Sequence, residues 1–185
     1  MTGTAALVAL GSNVGDRLAH LRRAVAAIDA LDGTRVEQVS ALYQSAPVGG
    51  PDGQGPFLNG ALSATTVQAA SELLAALHAI EASHDRERVV HWGPRTLDLD
   101  LIEYGNTLSD DSALLLPHPR AHERRFVLVP ICDVAASWRH ARLGSTMADL
   151  LAALPVEPGD LTRLDGDWLD LDWQLPTTDD QHRDR

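Results

Sequence analysis

Lysine is absent: all 15 basic residues of this 185-residue chain are arginine. That excludes a Walker A phosphate loop, the strand lysine of protein kinases and any Schiff-base lysine. If the protein handles phosphate, arginine and metal must do it. Cysteine is scarce too: the single thiol, Cys132, excludes an internal disulfide framework and fits a reducing, cytoplasmic setting. It stands in an apolar segment and reads as a small buried hydrophobe, not a nucleophile. No uninterrupted apolar run approaches about 18 residues, so no membrane-spanning helix is expected, and Met1–Thr4 lacks the basic region of a signal peptide. Positive charge is also short. A formal net charge of −11 argues against a general nucleic-acid or anionic-membrane surface.

The length and the 44% hydrophobic content suit one globular domain with a sizeable core. Ala5–Leu10 is an apolar run ending at Gly11 and predicts a buried first strand. Ser12 or Asn13 is expected to cap the next helix, with Asp16 in its first turn; Leu18, Leu21, Val25 and Ile28 carry that helix to about Leu31. Thr34–Gln44 predicts a second strand, Ser45–Pro56, dense in glycine and proline, a long loop, and Phe57–Thr66 a third strand able to pair with the second. Leu73, Leu74, Leu77 and Ile80 form the stripe of a helix from Val67 to about His84. A strand from Thr96, a turn at Tyr104–Thr107, connecting chain over Asp110–Leu116, a short strand at Val127–Pro130 and a helix over Met147–Leu154 follow. The order β-α-β-β-α-β predicts a ferredoxin-like α+β sandwich, a mainly antiparallel sheet with helices packed on it. This body is placed at residues 1–158. Residues 159–185 read as an acidic, turn-rich extension, disordered over Thr177–Arg185, with Trp168 and Trp173 packed back on the body.

The chemistry concentrates in two stretches. In Trp92-Gly93-Pro94-Arg95-Thr96-Leu97-Asp98-Leu99-Asp100-Leu101, alternation puts Asp98 and Asp100 on one face of a strand and Leu97, Leu99 and Leu101 on the other. Two carboxylates roughly 6.6 Å apart along a strand suit hard cations about 3.5–4 Å apart, as in phosphoryl transfer. The plainer alternative is an edge strand with a solvated acidic face. The second stretch runs from Leu116-Pro117-His118 through Arg120, His122, Arg124, Arg125 and Phe126. Together with Arg86, Arg88 and Arg95 it gathers guanidinium groups able to neutralise a polyphosphate. The His118/His122 spacing imitates a helical zinc pair, but Pro119 and the arginine neighbours speak against a cation there.

These two stretches resemble the core motifs of the 6-hydroxymethyl-7,8-dihydropterin pyrophosphokinase family, in the family's order and spacing, and the resemblance extends over about Ala5–Leu154. It implies an ATP-dependent transfer of a pyrophosphoryl group to the pterin hydroxymethyl, releasing AMP, in folate biosynthesis. It implies that Asp98 and Asp100 hold two magnesium ions, and that Arg86 and Arg95 act with them in catalysis. Glu81, Arg88, Trp92, Arg95, Leu101, His118 and Arg124 would contact ATP. Pro47, Val48, Phe57, Asn59, Trp92 and Phe126 would contact the pterin, the two phenylalanines by stacking and Asn59 by hydrogen bonds to the ring edge. His91 stands where relatives often carry arginine. The expected partners are ATP and the pterin, with no nucleic acid or membrane, on a monomer or weak homodimer. Without the resemblance, the residues point to metal-dependent phosphoryl transfer, with a ligand-binding module and a two-metal phosphohydrolase as competitors.

Overall fold

The computed structural model describes residues 3–48, 53–84, 95–156 and 159–169. The first strand, β1 (Thr4–Ser12), alternates buried side chains onto both faces of a sheet, because helices cover both. A helix, α1 (Arg17–Asp29), follows, and its N-cap is Asp16, whose carboxylate accepts from the Ala19 N–H at 3.1 Å. The capping expected of Ser12 or Asn13 is therefore corrected. β1 runs on through Ser12, which carries both residues past the helix start to a different partner.

The expected second strand divides in two, β2 (Thr34–Val39) and β3 (Tyr43–Ser45), both antiparallel to β4 (Phe57–Thr66). β4 occupies the span its alternation predicts. Helix α2 (Ala70–Ser83) buries Leu73, Leu77 and Ile80, and β5 (Asp98–Tyr104) completes the sheet as an edge. The strand order is β5-β1-β4-β3, with β2 also beside β4, the order of a ferredoxin-like sheet, and every pair is antiparallel.

Three further elements differ from expectation or add to it. The stretch expected as plain connecting chain forms a small hairpin, β6 (Ser109–Asp111) and β7 (Leu114–Leu116). Val127–Pro130, expected as a strand, lies inside helix α3 (Arg125–Ala135). Its buried residues Val127, Leu128, Pro130 and Ile131 share one helical face, a spacing that a four-residue apolar run cannot distinguish from a strand. Helix α4 (Met147–Ala153) packs on α3. Last, β8 (Leu161–Arg163) pairs with the free edge of β3. Trp168 packs back as expected, while Trp173 and Thr177–Arg185 lie outside the described residues.

The result is three layers. α1 and α2 cover one face of the sheet around Leu21, Ile28, Leu62, Leu77, Leu99 and Leu101; α3 and α4 cover the other around Leu7, Ala61, Ile102, Leu128 and Ile131. Truncating a fully buried leucine such as Leu77 to alanine is expected to cost about 2–5 kcal/mol. Among the described residues, no helix is long and apolar enough to cross a membrane.

Candidate functional site

The register of the sheet assembles the site. Asn59 on β4, Gly11 on β1 and Asp98 on β5 stand opposite one another in one row, which Tyr43 on β3 extends. The next row on the same face is Ala61, Ala9 and Asp100. Residues in register share a face, so the acidic pair and Asn59 look toward the α3 side. The residues between them are glycine and alanine, which leave space above the sheet. A methyl group built on Gly11 would lie 3.8 Å from Asp98 Cβ, 3.9 Å from Phe57 Cδ1 and 4.0 Å from Asn59 Oδ1. Three expected site residues from two different strands thus converge on one glycine.

Arg95 enters this face beside the acids and forms an ion pair with Asp98. Its backbone is held by Asn13, whose N–H donates to Arg95 O at 3.0 Å and whose Oδ1 accepts from the Arg95 N–H at 2.7 Å. The Ser12 hydroxyl donates to Thr96 O at 2.6 Å. Asn13 Nδ2 also reaches Gln54 Oε1 and Gly55 O at 3.3 and 3.4 Å. The Gly-Ser-Asn turn therefore ties together the two long segments that flank the site. The sequence offered the same residues a commoner role, helix capping, and only the third dimension decides between them.

From the other side, the His118 N–H donates to Ile102 O at 2.9 Å, which anchors the loop after β7 against β5. Arg124 follows the single 3-10 turn Ala121–Glu123, and its guanidinium lies 5.6 Å from the centre of the Phe126 ring. Asp100 is held above the usual carboxylate range by burial and then by the charge of Asp98, while His118, Arg95 and Arg124 oppose that rise. Burial lowers the pKa of both His118 and Arg124. Structure thus brings Arg95, Asp98, Asp100, His118 and Arg124 together, with Phe57, Asn59 and Phe126 along the same face.

Other expected residues sit differently. The Leu101 side chain is buried in the core on the α1/α2 side, so only its backbone is left to meet a ligand. Glu81 is buried, and its carboxylate accepts from the Leu99 N–H at 2.7 Å. β5 is an edge strand whose outward N–H has no strand partner, and Glu81 from α2 supplies one midway between the two aspartates. Pro47 and the exposed Val48 lie just beyond β3. Arg86, Arg88, His91 and Trp92 lie outside the described residues.

Sequence reasoning missed two supports. Ser45 accepts from Asn59 Nδ2 at 3.0 Å, and Asp133 on α3 accepts from the Tyr43 hydroxyl at 2.9 Å. Neither residue type nor spacing signals these contacts. It missed also a buried group farther along β5, Glu103 with His140 and His122.

Among the described residues no three His, Cys, Asp or Glu side chains converge as a full metal-ligand set. Two carboxylates alone fit magnesium, which commonly takes one or two carboxylates and fills its other positions with water and substrate phosphate. The unfavourable proximity of Asp98 to half-buried Asp100 is what a bound cation would relieve.

Comparison with known proteins shows the family. Residues 7–136 match the model of the 7,8-dihydro-6-hydroxymethylpterin-pyrophosphokinase family. The chain is 40% identical over 160 residues to the 2-amino-4-hydroxy-6-hydroxymethyldihydropteridine pyrophosphokinase of Synechocystis sp., which covers 83% of this chain and 81% of that protein. It is 43% identical over 150 residues to the protein of the same name from Pseudomonas aeruginosa, covering 81% and 91% of the two chains. Among solved structures, the wild-type HPPK-DHPS of Plasmodium falciparum shares the fold with a TM-score of 0.63 at 14% identity, over 81% of this chain and 44% of that one.

Proposed function

The chain belongs to the 7,8-dihydro-6-hydroxymethylpterin-pyrophosphokinase family, and from that premise we propose how its residues transfer a pyrophosphoryl group to the hydroxymethyl of 6-hydroxymethyl-7,8-dihydropterin in folate biosynthesis. ATP is the donor and AMP the leaving product. The hydroxymethyl oxygen forms a bond to the β-phosphorus as the bond from that phosphorus to the α-phosphate oxygen breaks. The hydroxyl proton passes to solvent. The observation that supports this reading is the row Asn59–Gly11–Asp98, in which an amide and a carboxylate share one face across a single glycine.

Phe57 and Phe126 stack on the pterin, and Asn59, oriented by Ser45, reads its edge. Pro47 and Val48 border the ring from the loop after β3. Arg95 and Arg124 bind the triphosphate, and His118 donates to it. Arg86 and Arg88 are assigned to the triphosphate as well and Trp92 to both substrates, Glu81 to holding β5 so that both aspartates keep their aim, and Leu101 to a main-chain contact. Asp98 and Asp100 hold magnesium, two ions in this reading, which when bound neutralises the phosphate charge and stabilises the developing alkoxide. The protein's own contribution is then positioning and electrostatics, which dominate phosphoryl transfer.

The test is to incubate the protein with ATP, magnesium and the pterin and to measure AMP, with Asp98→Ala as control. Pterin-dependent AMP that disappears in the variant supports the reading. Phosphate released equally without pterin points instead to a hydrolase.

A further inference from the structure

The segment from Asp160 to Trp168 lies beyond the span matched by the family model, residues 7–136, yet it is built into the sheet beside the substrate face. β8 pairs Leu161, Thr162 and Arg163 with Ser45, Gln44 and Tyr43. The Leu164 N–H donates to Leu42 O at 2.9 Å. Trp168 is buried, and its indole N–H donates to Ser40 O at 2.7 Å. The Trp168 carbonyl accepts from Arg22 of α1, and Asp160 pairs with Arg125 of α3 at 3.1 Å. The segment is therefore fastened at both ends and along its middle.

What it fastens is a short, interrupted stretch of the sheet. Between β2 and β3 the strand breaks at Ser40–Leu42, and β3 has only three residues. So short a strand with one neighbour is marginal, and its outer edge is what β8 completes. β3 in turn holds Asn59, through Ser45 Oγ at 3.0 Å and Tyr43 O at 3.4 Å. Ser40 itself is coupled to β4: its N–H donates to Ala61 O and its Oγ accepts from the Ala61 N–H, both at 2.9 Å. The path from Trp168 to Asn59 thus runs from one hydrogen bond at Ser40, along the chain to Ser45, to a second at Asn59.

We propose that Trp168 is a positioning residue for the pterin side of the site: its indole N–H, with β8, fixes Ser40–Ser45 and so the orientation of Asn59. The proposal rests on the pterin-transfer reading above. It concerns the pterin half alone, because the phosphate half is held by other contacts, Asn13 on Arg95, Glu81 on Leu99 and His118 on Ile102.

Trp168→Phe keeps an aromatic ring in the core and removes the donor, with a modest loss of ring volume. The expected result is a rise in the KM for 6-hydroxymethyl-7,8-dihydropterin of about fivefold, the scale of one lost hydrogen bond, with kcat and the KM for ATP changed by less than about twofold. In the same variant the amides of Tyr43–Ser45 should exchange with solvent faster, and those of Asp98–Ile102 should not. Thr162→Pro, which cannot pair normally across from Gln44, should reproduce both effects if Trp168→Phe proves insoluble. Equal changes in both KM values, or unchanged exchange at Tyr43–Ser45, overturn the proposal. Wild-type protein without pterin-dependent AMP release overturns the functional reading itself, and the exchange data then judge the mechanical coupling separately.

Discussion

Asp100 and Glu103 are carboxyls three residues apart on β5, the first half-buried and the second fully buried, and both face the α3 side. Regular alternation would point Glu103 the other way. A register shift between Leu7 and Val8 brings it opposite Leu7, onto the same face as Asp100. Their surroundings differ. Around Asp100, His118, Arg95 and Arg124 offset part of the cost of burial and of Asp98. Glu103 is fully buried and compensated only by the Ala141 N–H at 3.3 Å, so burial pushes it up to about 7. His140 lies 3.8 Å away but does not serve as its cation. Its Nδ1 accepts from the Arg142 and Leu143 N–H groups, and burial, then His122 and Arg142, lowers its pKa. Glu103 Oε2, His140 Nε2 and His122 Nδ1 have no hydrogen-bond partner among the described residues. An acid with Arg95, Arg124 and His118 beside it has part of the cost of its charge offset. A buried acid without them is a pH-sensitive weak point.

The sharpest way to separate the two is by substitution. Asp98→Ala or Asp100→Asn should reduce AMP formation by about a thousandfold or more, the scale of removing a principal electrostatic contact in a charge-stabilising site, while thermal unfolding shows Asp100→Asn no less stable than wild type, since a like-charge contact is gone. Asn13→Ala should lower kcat by about tenfold, because Arg95 loses its backbone anchor and small misplacements are costly; saturating steady-state kinetics on folded protein is the check.

Glu103→Gln should leave activity within about twofold and change the pH dependence of stability instead. The folded carboxyl titrates near 7, against 4.5 in the reference state. Its favourable contribution is complete below about pH 4.5 and is lost as pH rises through 7. Measured by denaturant melts, the variant should therefore gain on wild type between pH 5 and 8, by at most about 3 kcal/mol. A constant difference across that range would show Glu103 ionised throughout. Smallest of all, Asp16→Ala should cost about 1 kcal/mol by loss of the α1 cap, with no effect on turnover; Ser12→Ala, by contrast, should alter turnover, since Ser12 holds Thr96 instead of capping.

Much of the architecture was legible because each signal was local. β4 shows in its alternation, α2 in the Leu73–Leu77–Ile80 stripe, and the acidic face in Asp-Leu-Asp. The failures were equally physical. Val127–Pro130 is too short a run to separate a strand from a buried helical turn, and Asp110–Leu116 carries too little apolar pattern to mark its hairpin. Ser12 and Asn13 suit capping and cross-chain pinning alike.

By itself, then, the sequence determined the β-α-β-β-α-β order as far as β5, the facing of Asp98 and Asp100, the absence of lysine, and the motifs that place the chain in its family, since all of these follow from residue type and near-neighbour spacing. Tertiary structure alone decided that Gly11 stands between Asn59 and Asp98, that Glu81 serves an edge strand, that a register shift buries Glu103, and that Trp168 closes the sheet over Ser40. Those contacts join residues between 18 and 128 positions apart, and no local pattern in a chain specifies which distant partner a polar group will meet.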